Sequence, residues 1–255
     1  MNPIKRSLKA GLHYSGISAL YGRLFLQNKA VILGYHMVAS HSAHGLHVTP
    51  EVFAMQMKYL AKHYQPLHLD ELLTILRNNT PMPPRSCVVT FDDGTLDNFE
   101  VALPILNAFS IPATFFVIGS KLTAPSATHF NAQQANILIA NGHHLGGHSH
   151  THPHLTRVSK EQIKEELALP LQILRSTFAI NTPAFAYPYG DFNPEIATVL
   201  KTSGYFCAVT TRPGFVQANS DLFALPRIVI DQDSTSTEAA FATRLQWMPR
   251  SKSVQ

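Results

Sequence analysis

The sequence predicts an α/β fold, a distorted parallel (β/α) barrel of about seven strands. Three observations predict it. Short apolar runs rich in β-branched and aromatic residues alternate with helical patterns along the 255 residues, as in a parallel sheet with crossover helices. About seven such runs suit a barrel better than an open sheet. His36, Asp92, Asp93, His148 and Tyr189 each fall just past one of these runs, at the strand ends where parallel barrels gather their chemistry.

The elements follow in order. Residues 31–36, Val-Ile-Leu-Gly-Tyr-His, form the first strand. Thr49 caps a helix from Pro50 with Phe53, Met57, Leu60 and Ala61 along one face. Asp70 opens a short helix to Leu76, and residues 87–91, Cys-Val-Val-Thr-Phe, are the next strand. A helix is predicted over 96–109, with Val101, Ile105, Leu106 and Phe109 on one side. Residues 113–118 form an aromatic, β-branched strand. Asn141-Gly142 stops a helix over 131–140. A His-rich segment then starts as a short strand and continues as a loop. Ser159 caps a long helix to Phe178 in which Pro170 predicts a kink. Residues 184–187 are a strand, Pro188-Tyr189-Gly190 is its loop, and a helix spans 194–202. Strands over 206–210 and 227–230 and a helix over 237–247 complete the chain. With no linker or repeat, a catalytic domain is expected over 30–250, preceded by an N-terminal helical extension over 1–29.

Composition narrows the class. At 45% hydrophobic and 14% charged, the chain can bury an ordinary core without a disulfide scaffold. Cys87 and Cys207, the two cysteines, lie in apolar runs and are expected to be buried thiols. The net charge of +4 comes without a stripe of Lys and Arg interleaved with aromatics, which argues against nucleic acid as a partner. Six of the fourteen histidines fall between His143 and His154, an enrichment that signals metal. His143, His144 and His154 are expected at the surface or behind the ligands.

Thr90-Phe91-Asp92-Asp93-Gly94 ends an apolar strand in two carboxylates. Burying such groups costs several kcal/mol unless a metal or hydrogen bonds compensate. Further on stands His148-Ser149-His150-Thr151-His152-Pro153. His148 and His152, four apart, can face one ion from a single loop, and Asp93 supplies a charged third ligand. Three such groups with an open position for water are the usual set around catalytic zinc. Asp92 points elsewhere, as neighbouring side chains do at a strand end, and is free to take a proton from the attacking water. The ligand set favours Zn2+, with Co2+, Ni2+ and Mn2+ as alternatives.

These residues resemble the polysaccharide deacetylases, carbohydrate esterase family four. The family's first motif, Thr-Phe-Asp-Asp-Gly, is matched at Thr90 to Gly94, and its second, His-Ser-x-Thr-His-Pro, at His148 to Pro153. The third, Arg-x-Pro-Tyr-Gly, reads Ala186-Tyr187-Pro188-Tyr189-Gly190 here, without its arginine. The resemblance implies a distorted β/α barrel, Asp92 as catalytic base, Asp93, His148 and His152 as metal ligands, and an oxyanion held by the backbone N–H of Tyr189 in the Pro188–Tyr189 loop. The family's Leu-x-x-His near the C-terminus is absent; Leu225-Pro226-Arg227-Ile228 stands there. An early Tyr35-His36 and a Tyr-Pro-Tyr-Gly third motif are similar to the poly-N-acetylglucosamine deacetylases of bacterial biofilm systems. That pattern makes His36 the candidate acid for the leaving amine and Arg227 the candidate replacement for the lost arginine, orienting Asp92.

The expected function is removal of N-acetyl groups from an amino sugar in a glycan or glycan precursor. The rivals are an O-acetyl esterase or non-sugar amidase using the same site, and an inactive carbohydrate-binding homologue. Residues 4–26 form a basic amphipathic pattern, with Lys5, Arg6, Lys9 and Arg23 beside Ile4, Leu8, Leu12, Leu20, Leu24 and Phe25. Such a helix suits peripheral contact with an anionic membrane. With His13, Ser15 and Arg23 interrupting the apolar run, it does not read as a signal peptide. The expected location is therefore cytoplasmic, peripheral to the inner membrane. Oligomeric state is left open.

Overall fold

The structure is a computed structural model that describes residues 27–40, 46–124, 126–181 and 183–246. The expected helix over 4–26 lies outside them. The elements are β1 (Ala30–Tyr35), β2 (Met37–Val38), β3 (His47–Val48), α1 (Pro50–His63), β4 (Gln65–Pro66), α2 (Leu69–Arg77), β5 (Ser86–Phe91), α3 (Leu103–Ala108), β6 (Ala113–Val117), α4 (Gly119–Thr123), α5 (Ala132–Ala140) and β7 (His144–Gly147). They continue with α6 (Lys160–Phe178), β8 (Ala184–Ala186), α7 (Pro194–Ser203), β9 (Cys207–Val209), β10 (Ile228–Val229), α8 (Gln232–Thr235) and α9 (Glu238–Gln246).

The main sheet runs β10-β1-β5-β6-β7-β8-β9, all parallel, with β4 joined to the start of β5. This is the seven-strand parallel path the alternation predicts. Irregular backbone links its two ends. Leu225 exchanges hydrogen bonds with β9 and Thr210, Arg227 N–H donates to the Arg212 carbonyl, and Ile228 and Val229 then pair with β1. The strands are buried on both faces, the property that gives parallel strands near-continuous apolar sequences. Phe91, Phe115 and Phe116 belong to this core, as do the free thiols of Cys87 and Cys207.

Local chemistry accounts for the helix starts. Thr49 Oγ1 accepts from Val52 N–H with Pro50 in the first turn. Ser159 and Gln162 close a capping box on α6, which continues through Pro170 to Phe178. The helix expected over 96–109 is different: residues Asn98–Ala102 form a π turn before α3. Pro104 carries no N–H and its ring crowds the preceding carbonyls, so the turn before it widens. Tyr187 and Arg227, expected within strands, lie one residue outside β8 and β10.

Candidate active site

His36 follows β1, Asp92 and Asp93 follow β5, His148 follows β7, and Pro188 follows β8, so the strand ends bring all of them to one rim. Asp92 N–H still donates to the Tyr35 carbonyl (2.9 Å), extending the β1–β5 ladder. The chain then turns through two left-handed residues, Asp93 and Gly94, both at φ 73°. Aspartate tolerates this region and glycine favours it. The turn separates the two carboxylates: Asp92 is buried beneath the rim and Asp93 faces the His-rich loop.

Asp93 Oδ1 lies 3.4 Å from His148 Nε2 and 3.3 Å from His152 Nε2, and the two nitrogens are 3.2 Å apart. Ligand atoms about 2.1 Å from a shared tetrahedral ion stand about 3.4 Å apart. Asp93 Oδ1 is buried without a hydrogen-bond partner, which a cation would supply. His148 Nδ1 is 2.7 Å from the Ala186 carbonyl, so it carries the proton and leaves the Nε2 lone pair facing the cluster. Burial opposes the charge on His148, yet Asp92 and Asp93 outweigh it and hold its pKa up; burial and the charge of His148 push His152 down to about 4. A metal would bind both imidazoles in their neutral form through Nε2, with the Asp93 carboxylate as the charged donor.

The loop carrying both histidines is held from behind. Glu166 of α6 accepts from the backbone N–H groups of His150 and Thr151, both at 2.8 Å, and from the Thr151 hydroxyl at 2.6 Å. Ser149 Oγ accepts from His152 N–H, with Ser149 and His152 both left-handed. His150 turns away from the cluster towards Gly119. Sequence spacing gives no sign of Glu166, because its partners are backbone groups.

Arg227 is fully buried and forks onto Asp92: Nη1 to Oδ1 at 2.7 Å and Nη2 to Oδ2 at 2.6 Å. Its Nε donates to the Thr210 carbonyl and Nη1 also to Thr90 Oγ1. A Cβ at Gly34 would stand 3.4 Å from the guanidinium carbon, so the guanidinium packs directly against this position. Burial acts to raise the Asp92 pKa, but Arg227 and then His148 outweigh it, and the carboxyl is held below its ordinary value. His36 Nε2 lies 3.9 Å from Asp92 Oδ2. Burial lowers its pKa against the pull of both aspartates, so it rests neutral. Asn98, fully buried by the π turn, donates to the His36 carbonyl at 2.8 Å, and Asp97 accepts from Val38 N–H at 2.6 Å. Neither was singled out from sequence.

Tyr189 adopts φ 59° and puts its ring at the mouth of the site, 56% exposed. It meets His152 edge-on at 4.6 Å and stacks on His154 at 3.9 Å. His154 is therefore a rim residue, 3.5 Å from Asp191. His143 corrects the expectation of a surface or supporting histidine. It is buried at the opposite rim, Nδ1 accepting from Ala113 N–H and Nε2 paired with Asn107 Oδ1.

Comparison with known proteins shows the family and the fold. A family profile described as polysaccharide deacetylase matches residues 79–208. The Streptococcus pyogenes deacetylase PplD, solved in complex with acetate, superposes with a TM-score of 0.79 at 27% identity, over 86% of this chain and 98% of that one. IcaB from Ammonifex degensii gives 0.73 at 26% identity, over 84% and 97%. The poly-beta-1,6-N-acetyl-D-glucosamine N-deacetylase of Staphylococcus epidermidis is 24% identical over 238 residues, 83% of this chain and 82% of that protein. With the barrel, the two motifs and the profile in agreement, the chain belongs to the polysaccharide deacetylase family.

Proposed function

We propose that the chain is a divalent-metal-dependent N-deacetylase acting on an N-acetylglucosamine polymer or its precursor. The observation that carries this is the convergence of Asp93, His148 and His152 on one point beside a carboxylate fixed by Arg227. Likeness to poly-N-acetylglucosamine deacetylases supports the substrate class. Asp93, His148 and His152 would hold the ion, with Zn2+ the best match to two imidazoles and a carboxylate. When bound, the ion lowers the pKa of water and polarises the acyl carbonyl.

The remaining work falls to the chain's own groups. Asp92 stays ionised and takes a proton as water attacks the amide carbon. Arg227 aims that carboxylate and keeps it charged. The Tyr189 N–H, beside Pro188, receives the oxyanion. His36 rests neutral and gains a proton from Asp92, at ion-pair distance. It passes that proton to the nitrogen as the C–N bond breaks. Acetate and a free amine leave, and Asp92 is again ionised. The exposed Tyr189 ring offers a face for a sugar. The proposed setting is the cytoplasmic face of a membrane, where residues 4–26 would bring the site to a lipid-linked glycan precursor; fractionation that finds a processed, exported protein would contradict it.

The test is acetate release from N-acetylglucosamine oligomers and from O-acetylated sugars, with and without chelator. N-acetyl hydrolysis abolished by chelator and restored by Zn2+ is expected. Hydrolysis of O-acetyl sugars alone would overturn the amide reading.

A further inference from the structure

A second group of metal-binding side chains stands at the opposite rim of the barrel, outside the matched motifs. His68 precedes α2, Asp70 lies in its first turn, and His144 opens β7. One ligand atom from each lies within 4.8 Å of the others. The two imidazoles stack with centroids 4.1 Å apart and ring planes 16° apart, and His144 Nδ1 is 3.7 Å from Asp70 Oδ1. His68 caps α2 with its side chain towards the Glu71 N–H, which Asp70 Oδ1 accepts at 2.9 Å, and its buried Nδ1 is left without a full hydrogen bond. His144 and His148 mark the two ends of β7, about 13 Å apart at the usual rise per residue, so this group and the active-site cluster cannot share an ion.

We propose that His68, Asp70 and His144 form a second divalent-metal site that pins the start of α2 to the start of β7. Two imidazoles and one carboxylate select borderline ions such as Zn2+, Ni2+ or Cu2+ over Mg2+ or Ca2+. His144 Nδ1 and Asp70 Oδ1, 3.7 Å apart, stand farther apart than the 3.2–3.4 Å between donor atoms in the active site. Binding therefore needs small side-chain rotations and is weaker than at the active site. Asp70 is exposed and His68 and His144 are partly so, which lets solvent complete the coordination. Asp70 and His144 also line a cavity of about 760 Å³, together with Leu73, Ile139 and Phe206.

The site does not depend on the reaction proposed above, and its test is a difference in metal content. The full chain is dialysed against buffered Zn2+, and bound metal per chain is measured for wild type, His148→Ala, and the His68→Ala/His144→Ala pair. Wild type should hold one equivalent more than the pair variant, whatever the active site holds, and His148→Ala should keep the equivalent that the pair variant loses. Zn2+ should also raise the melting temperature of His148→Ala but not when combined with the pair. Deacetylation, if present, should be unchanged in the pair variant. Asp70→Asn, at an exposed position that spares the fold, should weaken this equivalent about tenfold. Equal metal content in wild type and the pair variant overturns the proposal.

Discussion

Asp92 carries the reaction in this account, and Arg227 decides its state. The guanidinium fork holds the carboxyl charged in a place where burial alone would favour the neutral form. Lysine keeps the charge but not the second arm. Arg227→Lys should lower kcat/KM by about 10- to 100-fold, since a misaimed base loses much of its effect. The direction in pH follows. The base works above its pKa and fails as pH falls through it, so a weaker partner raises that pKa and moves the acidic limb of the pH–rate profile to higher pH. An unshifted limb would deny Arg227 this role. Arg227→Met, which leaves a buried carboxylate unpaired, should cost about 3–5 kcal/mol in denaturant unfolding. The local residues were legible because the motifs place them within a few positions of one another. Arg227 was legible only as what stands where a motif is missing, since 135 residues separate it from Asp92.

At the scale of elements, the His-rich loop depends on a helix it does not belong to. The side chain of Glu166 fixes His150 and Thr151 through three hydrogen bonds, and through them the direction of His152. Partners of this kind orient metal ligands. Glu166→Ala should weaken active-site metal affinity about 10- to 100-fold with the circular dichroism spectrum unchanged. Competitive titration against a chelator measures it, and wild-type affinity would count against the loop being held this way. The capping box of α6 could be read from Ser159 and Gln162, whose partners are three residues apart. The π turn at Asn98–Ala102 could not. Its apolar spacing resembles an ordinary helix, and Pro104 alone hints at the break. That turn brings Asn98 under His36, so the missed irregularity is also the one that touches the site.

For the whole molecule, alternation along the chain sufficed for a parallel barrel because each buried strand is apolar on both faces. Linkage of its ends did not show, since the stretch from Leu222 to Arg227 uses backbone hydrogen bonds without strand-like sequence. Acid stability belongs to this scale as well. His143 is buried in its neutral form, its pKa lowered to about 4 chiefly by burial and further by His68 and His144. The unfolded chain takes that proton near pH 6.5. Stability from this residue is therefore full above about pH 6.5 and is lost as pH falls towards 4, by about 2 kcal/mol. His143→Gln, which can keep one donor and one acceptor, should flatten the pH dependence of the melting temperature over that window. A slope equal to wild type would show that His143 does not set it.

Asp92→Asn tests the central claim most directly, because it changes one oxygen to nitrogen beside the proposed metal ligands and leaves Asp93, His148 and His152 in place. Metal content should equal that of wild type while acetate release from N-acetylglucosamine oligomers falls at least about 100-fold. Turnover near wild type would contradict the assignment of Asp92 as the base.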